Sequence, residues 1–213
     1  MDCRTSLSKI VNRCLKIGIN CIAVADHGTI TGALKLKEIA PFQVIVAEEI
    51  LTPSGELMGL FLKEKIPSGL PPGETITRIR SQGGLVAIPH PLGQTPFSSL
   101  RTKQNNLARS ETIVSQVDII EVFNSRTLLP NSSTKAWELV NKYGLAASAG
   151  SDAHTPGEIG NAYVEMPEFN NPDDFVHCLS QGKIFGQRSN PFVYFATAWA
   201  RIANNFGGRA NPC

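Results

Sequence analysis

The sequence predicts an α/β fold whose largely parallel sheet wraps into a closed or distorted barrel, and three observations point there. Short apolar runs of strand length alternate with stretches in which apolar residues recur at helical spacing, the order that builds crossover βα units. The runs end abruptly in polar or ionisable side chains, among them His27, Glu49, His90 and the Asp152/His154 pair, and in barrels of parallel strands reactive groups gather where strands end. Three of the four histidines fall at such ends, a coincidence that scattered core histidines would not produce.

Composition narrows the function classes. Hydrophobic residues at 42% and charged residues at 18% of 213 suit one globular domain over residues 1–213 with a substantial core. The 20 basic and 18 acidic residues are dispersed, without the Lys/Arg stripe that nucleic-acid binding needs. No apolar stretch approaches the roughly 20 residues that span a bilayer. Residues 1–20 carry charges throughout instead of a signal peptide's apolar centre, so a cytoplasmic protein is expected. Cys3, Cys14, Cys21, Cys178 and Cys213 are odd in number and lack CxxC spacing, which suits reduced, structural thiols.

Taken in order, Leu7, Ile10, Val11, Cys14 and Leu15 recur at helical spacing until Gly18, predicting a helix over 5–17 with Thr5 or Ser6 as N-cap. The run 19–25 reads as a buried strand ending in Asp26-His27-Gly28. His27 is either a core histidine satisfied by one hydrogen bond or a strand-end donor. A helix over 29–40 leads to a strand over 43–47 that ends in Glu48-Glu49. Adjacent strand residues face opposite ways, so at most one of these carboxylates can face a site. Thr52-Pro53-Ser54-Gly55 is a turn, and 51–62 a hairpin. Glu56, the only ionisable side chain in its second run, is open to reading as a solvated edge-strand carboxylate.

A rigid loop over 67–73 and a helix over 74–82 precede the strand 85–88 and Pro89-His90-Pro91. The two prolines stiffen the backbone around His90, which favours a ligand over a passenger. Residues 92–112 form a polar loop over the strand ends. The strand 117–123 ends in Asn124-Ser125-Arg126; Arg126 either clamps a phosphate bidentately or pairs with a neighbouring acid. A helix over 133–143, closed by Gly144, is followed by the small-residue strand 145–149 and Gly150-Ser151-Asp152-Ala153-His154. Asp152 and His154, two apart on extended backbone, point to one side and can reach one ion, and their donor types suit zinc, manganese or iron. The competing reading is a turn in which the carboxylate caps backbone amides. A strand over 162–166, a helix over 172–181 carrying His177 as a surface or packing residue, and a strand over 183–187 follow; the last twenty-odd residues are assigned no element.

Four stretches together resemble the PHP family, the polymerase and histidinol phosphatase domains: Ala25-Asp26-His27-Gly28-Thr29, Glu48-Glu49, Ile88-Pro89-His90-Pro91 and Gly150-Ser151-Asp152-Ala153-His154-Thr155. The resemblance covers nearly the whole chain. It implies a distorted TIM-like (β/α)7 barrel and a metal-dependent phosphoesterase binding up to three divalent ions such as manganese, zinc or iron. Its ligands would be His27, Glu49, His90, Asp152 and His154, with Glu49 as the bridging carboxylate. The substrate implied is a small-molecule phosphate ester, a nucleotide or phosphomonoester. Its nucleophile would be a metal-activated hydroxide, with Asn124 and Arg126, placed just after a strand, as the candidates to hold phosphate oxygens.

Two departures shape the expectation. The family opens on a strand carrying His-x-His, and this sequence begins after that point, so the first strand is expected to be missing or incomplete and Asp2 is read as the remaining acid of that motif. Where many members carry a metal-binding histidine, three residues before Gly59, this chain has Glu56, whose carboxylate would replace the imidazole. The ion otherwise held by the His-x-His pair would keep only Glu49 and Asp152, too few for a closed shell, so partial metal occupancy and slow turnover are expected. The alternatives are a degenerate, non-catalytic PHP module with a structural or interaction role, and hydrolysis of carbon–nitrogen bonds on a similar barrel.

Overall fold

Side-chain alternation in the second apolar run sets the layout of the molecule. In the computed structural model, which describes residues 5–91, 108, 110–127 and 131–190, this run is strand β2, Gln43–Thr52. Its Val46 and Ile50 turn to one face and join a core with Ala33, Ile76, Ile79 and Ala136, contributed by the helices α2 (Thr31–Ile39), α3 (Pro72–Ser81) and α5 (Ser132–Tyr143). Its Ile45 and Ala47 turn to the other face and meet a second core with Leu60, Leu85, Ala87, Ile119 and Ala146. A strand buried on both faces reads as a continuous apolar run, which is why periodicity alone could not orient it.

Six strands pair in chain order: β1 (Cys21–His27), β2, β3 (Gly55–Leu60), β4 (Leu85–Ile88), β5 (Ile119–Asn124) and β6 (Ala146–Gly150). They form a curled half-barrel of mixed α/β type. Pairing is parallel between β1 and β2 and from β4 to β6, whereas β3 runs antiparallel to both of its neighbours. The sheet is therefore mixed instead of wholly parallel, because the turn at Pro53 and Ser54 is too short for a crossover. The reversal matters for the site. It brings the first residues of β3 to the end where the other five strands finish, in the register Leu51 opposite Glu56. It also makes β3 an interior strand, so the reading of Glu56 as an edge-strand carboxylate is corrected.

Among the described residues the sheet does not close. Helix α6 (Pro172–Ser180) packs on its inner core, and a separate antiparallel ribbon, β7 (Ala162–Glu165) with β8 (Lys183–Gly186), lies beside β6, with Val164 on the inner core and Ile184 on the outer. Leu179 of α6 is buried in the inner core, with Phe61, Phe169, Phe175 and Val164 packed beside it. Phe61–Phe175 and Phe169–Phe175 meet edge-on at 5.3 and 4.8 Å between ring centroids, the geometry aromatic quadrupoles favour.

Helix α1 (Leu7–Ile17) stops at Gly18, whose φ of 73° is the left-handed cap that glycine adopts without strain, and its N-cap is Ser6. The Arg13 guanidinium donates from Nε and Nη2 to the Ile159 carbonyl at 3.2 and 3.1 Å, tying α1 to the turn that follows β6. Helix α4 (Glu111–Val114) is a single turn leading into β5. Asp2, Cys3, Cys213, most of the loop 92–112 and the C-terminal segment from 191 lie outside the described residues. Among the described residues no helix is long and apolar enough to cross a membrane.

If α6 is structural filling for an open barrel, removing its anchor should cost what a core deletion costs. Leu179→Ala is expected to destabilise the chain by about 2–5 kcal/mol, lowering the thermal midpoint by roughly 5–15 °C. Leu15→Ala on α1, where the leucine is 56% exposed, should shift it by less than about 3 °C. Differential scanning calorimetry of the two variants checks the contrast.

Candidate metal centre

Inner-face residues at one end of the half-barrel carry the donors. His27 ends β1, and Glu49 lies opposite it in the parallel register. Glu49 is the hub: its Oε1 is 2.9 Å from Nε2 of His90 and its Oε2 is 3.5 Å from Nε2 of His27. Glu56, delivered by the reversed strand, stands 4.0 Å from the same His90 nitrogen. One ligand atom each from His27, Glu49 and Glu56 lie within 4.8 Å of one another, close enough to hold one ion. Glu48, as alternation requires, points away; it is fully buried, and its Oε2 accepts the Ile66 amide at 2.7 Å.

The second half of the cluster comes from β6. The Nδ1 of His154 lies 3.5 Å from the Asp152 carboxylate and 2.9 Å from the Asp152 carbonyl oxygen. A carbonyl only accepts, so in the neutral ring that bond keeps the proton on Nδ1 and leaves the Nε2 lone pair for an ion. The turn beyond is locked by Glu158, whose carboxylate accepts from the His154 and Thr155 amides at 3.1 and 2.9 Å and from the Thr155 hydroxyl at 2.9 Å. This reciprocal capping box opens a single 3-10 turn, Pro156–Glu158. The cap on these amides is thus supplied by Glu158, while Asp152 stays with the donors.

Two of the donors sit on unusual backbone. His90 has φ 29° and Asp152 φ 48°, values in or near the left-handed region, which is uncommon for any residue but glycine although Asn, Asp and His enter it more often than the rest. Such conformations persist only where the surroundings hold them. For His90 the holding contact is the Glu121 carboxylate, which accepts the His90 amide at 2.6 Å. Glu121 Oε2 also accepts from Asn124 Nδ2 at 3.1 Å, and the same Nδ2 lies 3.5 Å from Asp152 Oδ2.

The residues expected to hold phosphate have internal partners. Asn124 uses its amide nitrogen on Glu121 and Asp152 and its Oδ1 on the Arg126 amide at 2.9 Å. Arg126 is 3% exposed, with Nε 3.7 Å from Glu158 Oε1, so of its two readings the ion pair is present. His177 is on the surface, as expected. Glu121 and Glu158 escaped the sequence reading. A capping-box spacing, Thr155 to Glu158, was there to be read for the second; for the first the only signal was one acid inside an otherwise apolar strand.

The electrostatics describe a site short of positive charge. Burial raises Glu56, and the nearby Glu49 carboxylate raises it further against the pull of His90 and His27. Burial likewise raises Asp152 and pushes Glu121 up to about 7, with His90 opposing and Asp152 adding to the rise. Burial disfavours a charged His90, but the hydrogen bond and charge of Glu49, with Glu121 and Asp152 behind, outweigh it and lift the ring to about 10. Carboxylates that resist ionisation around an imidazole that holds its proton make a cluster whose charge a cation would balance. The donor set of imidazoles and carboxylates fits a divalent transition metal.

Fold and donor set define an α/β half-barrel with a cation-demanding cluster at its strand ends. Residues 130–184 match the PHP-associated family. The chain is 40% identical over 154 residues to the uncharacterized protein MJ0417 of Methanocaldococcus jannaschii, a match covering 71% of this chain and 61% of that protein; the chain thus spans less than two thirds of this relative's length. Its fold is shared with a two-domain protein of Bacteroides vulgatus containing a predicted PHP-like metal-dependent phosphoesterase, at TM-score 0.64 and 15% identity over 87% of this chain and 61% of that one. It is shared too with an amidohydrolase of Chromobacterium violaceum, at TM-score 0.57 and 12% identity over 92% of this chain and 91% of that one.

Two measurements follow from the geometry. His90, raised from 6.5 to about 10, contributes stability that is complete below about pH 6.5 and lost as the pH rises through 10. Glu121, raised from 4.5 to about 7, acts in the same direction, its contribution being lost as the pH rises through 7. The metal-free chain should therefore melt at progressively lower temperature from pH 6 to pH 9, while added Mn²⁺ should restabilise it more at pH 9, where fewer protons must be displaced. Separately, Glu56→Gln, which keeps size and removes charge, should weaken Mn²⁺ binding about tenfold by calorimetric titration; unchanged affinity would remove Glu56 from the ligand set.

Proposed function

We propose that the chain is a metal-dependent hydrolase of small-molecule phosphate esters, with His27, Glu49, Glu56, His90, Asp152 and His154 holding divalent ions of manganese, zinc or iron. The single observation carrying this reading is that Glu49 contacts both His90 and His27, at 2.9 and 3.5 Å, with Glu56 in reach. When bound, such ions would polarise a phosphoryl oxygen and acidify water. The chain's own groups supply the rest. Glu49 turns one oxygen to each of two imidazoles, so it would share ions with both His90 and His27. His154 is oriented by its bond to the Asp152 carbonyl, and the Thr155–Glu158 box fixes the turn that carries it. Of the two residues proposed to meet a phosphate oxygen, Asn124 is the one beside Asp152; Arg126 supports it through the bond of its backbone amide to Asn124 Oδ1 and its pair with Glu158.

The test is release of inorganic phosphate from a panel of phosphomonoesters and nucleotides with Mn²⁺. Turnover on at least one member is expected, abolished by chelator and lowered about 100-fold or more by Glu49→Gln. Release of ammonia or a carboxylate from an amide panel, with none of phosphate, would assign the site to carbon–nitrogen bonds. Inactivity on both would sink the reading.

A further inference from the structure

Glu121 lies on the same inner face as the donors, yet nothing about it requires that it touch an ion. Its Oε2 accepts the His90 amide at 2.6 Å and the Asn124 amide group at 3.1 Å, and Asn124 Nδ2 reaches Asp152 Oδ2 at 3.5 Å. One carboxylate oxygen therefore connects the backbone of one donor to the side chain of another across three strands. The His90 peptide needs such a partner. Proline on either side removes neighbouring amide donors, and φ of 29° is costly for an imidazole-bearing residue. Space for the carboxylate is kept by Gly150 at the end of β6, where an added β-carbon would collide with Glu121 Oε1. The φ of Gly150 is not in the left-handed region, so room for Glu121 is what glycine provides there, not backbone freedom.

We propose that Glu121 is a positioning residue: through the His90 amide and Asn124 it fixes His90 and Asp152 relative to one another, and Gly150 is glycine to admit it. The proposal rests on the metal-binding reading of the cluster. Groups that orient metal ligands in this way typically matter by 10–100-fold in affinity.

The test combines the His90 amide signal in ¹⁵N-labelled, metal-free chain with Mn²⁺ titration of the full chain. In the wild type the His90 amide proton, bonded to a carboxylate at 2.6 Å, should resonate well downfield. Glu121→Ala and Gly150→Ala should each move it upfield and weaken Mn²⁺ binding about tenfold or more. The double variant Glu121→Ala/Gly150→Ala should bind no more weakly than Glu121→Ala, since the methyl then has nothing to displace. Glu121→Gln retains one acceptor oxygen and should keep the amide signal and most of the affinity, and it carries the test should the alanine variant not fold. Additive losses in the double variant, or wild-type affinity once the downfield signal is gone, would overturn the proposal. If the wild type binds no Mn²⁺ the metal-binding reading fails by itself, and an amide signal unchanged in Gly150→Ala would then refute the link between Gly150, Glu121 and His90 independently.

Discussion

Like-charge repulsion at one end of the sheet is the constraint to which the remaining structure answers. Glu49, Glu56, Glu121 and Asp152 converge on a volume that also holds His27, His90 and His154, and burial strengthens every interaction among them. A proton held on His90 offsets part of this repulsion, against the desolvation of a charged ring. The chain's other response is neutral donors: the His90 amide and the Asn124 side chain face Glu121, and the His154 and Thr155 amides face Glu158. Carboxylates that cannot be separated are thus separated by amides. Two donors in or near left-handed backbone record what that arrangement asks of the chain.

Among the described residues the sheet holds these groups without closing on itself. Its six strands curl and α6 packs against their inner face, so the inner core depends on Phe61, Phe169, Phe175 and Leu179 as much as on the strands themselves. That filling comes partly from the segment matching the PHP-associated family, residues 130–184. The same segment also supplies β6 to the sheet and α5 to the outer core, so it meets the strands that carry the donors on both faces.

Much of this was legible because strands in α/β proteins announce themselves as apolar runs and finish at their chemistry. His27, Glu49, His90, Asp152 and His154 stand out for that reason, and the opposite orientations of Glu48 and Glu49 follow from strand geometry alone. The turn at Thr52–Gly55 announced the hairpin, but the pairing of its second strand with β4 on the far side, which puts Glu56 in the interior instead of at an edge, was not legible, because that partner lies beyond a loop and a helix. Nor was the difference between a group that meets ligand and a group that holds another group. Arg126 and Asn124 follow a strand as ligand-facing residues do, and the sequence did not show that they also hold Glu158 and Asp152, side chains distant in sequence, or Glu121 three residues before Asn124. Glu121 was hidden for the complementary reason, since a lone acid in an apolar strand has no meaning until the backbone of another loop is brought against it.

The reversed strand also sorts the donors by what lies next to them in the chain. His27, His90, Asp152 and His154 each precede a connecting loop, so a change of loop length or composition acts directly on their placement. Glu56 instead begins a strand and is set by a tight turn in which the Thr52 hydroxyl donates to the Gly55 carbonyl at 2.7 Å and accepts from the Ser54 amide at 3.2 Å. Its neighbours are thus a closed turn on one side and paired strand on the other. Exchange of imidazole for carboxylate at that single position alters the hardness of the donor set while leaving every loop at the mouth of the half-barrel as it was. In this architecture the preference for one ion over another and the recognition of whatever the loops meet are free to diverge along separate lines.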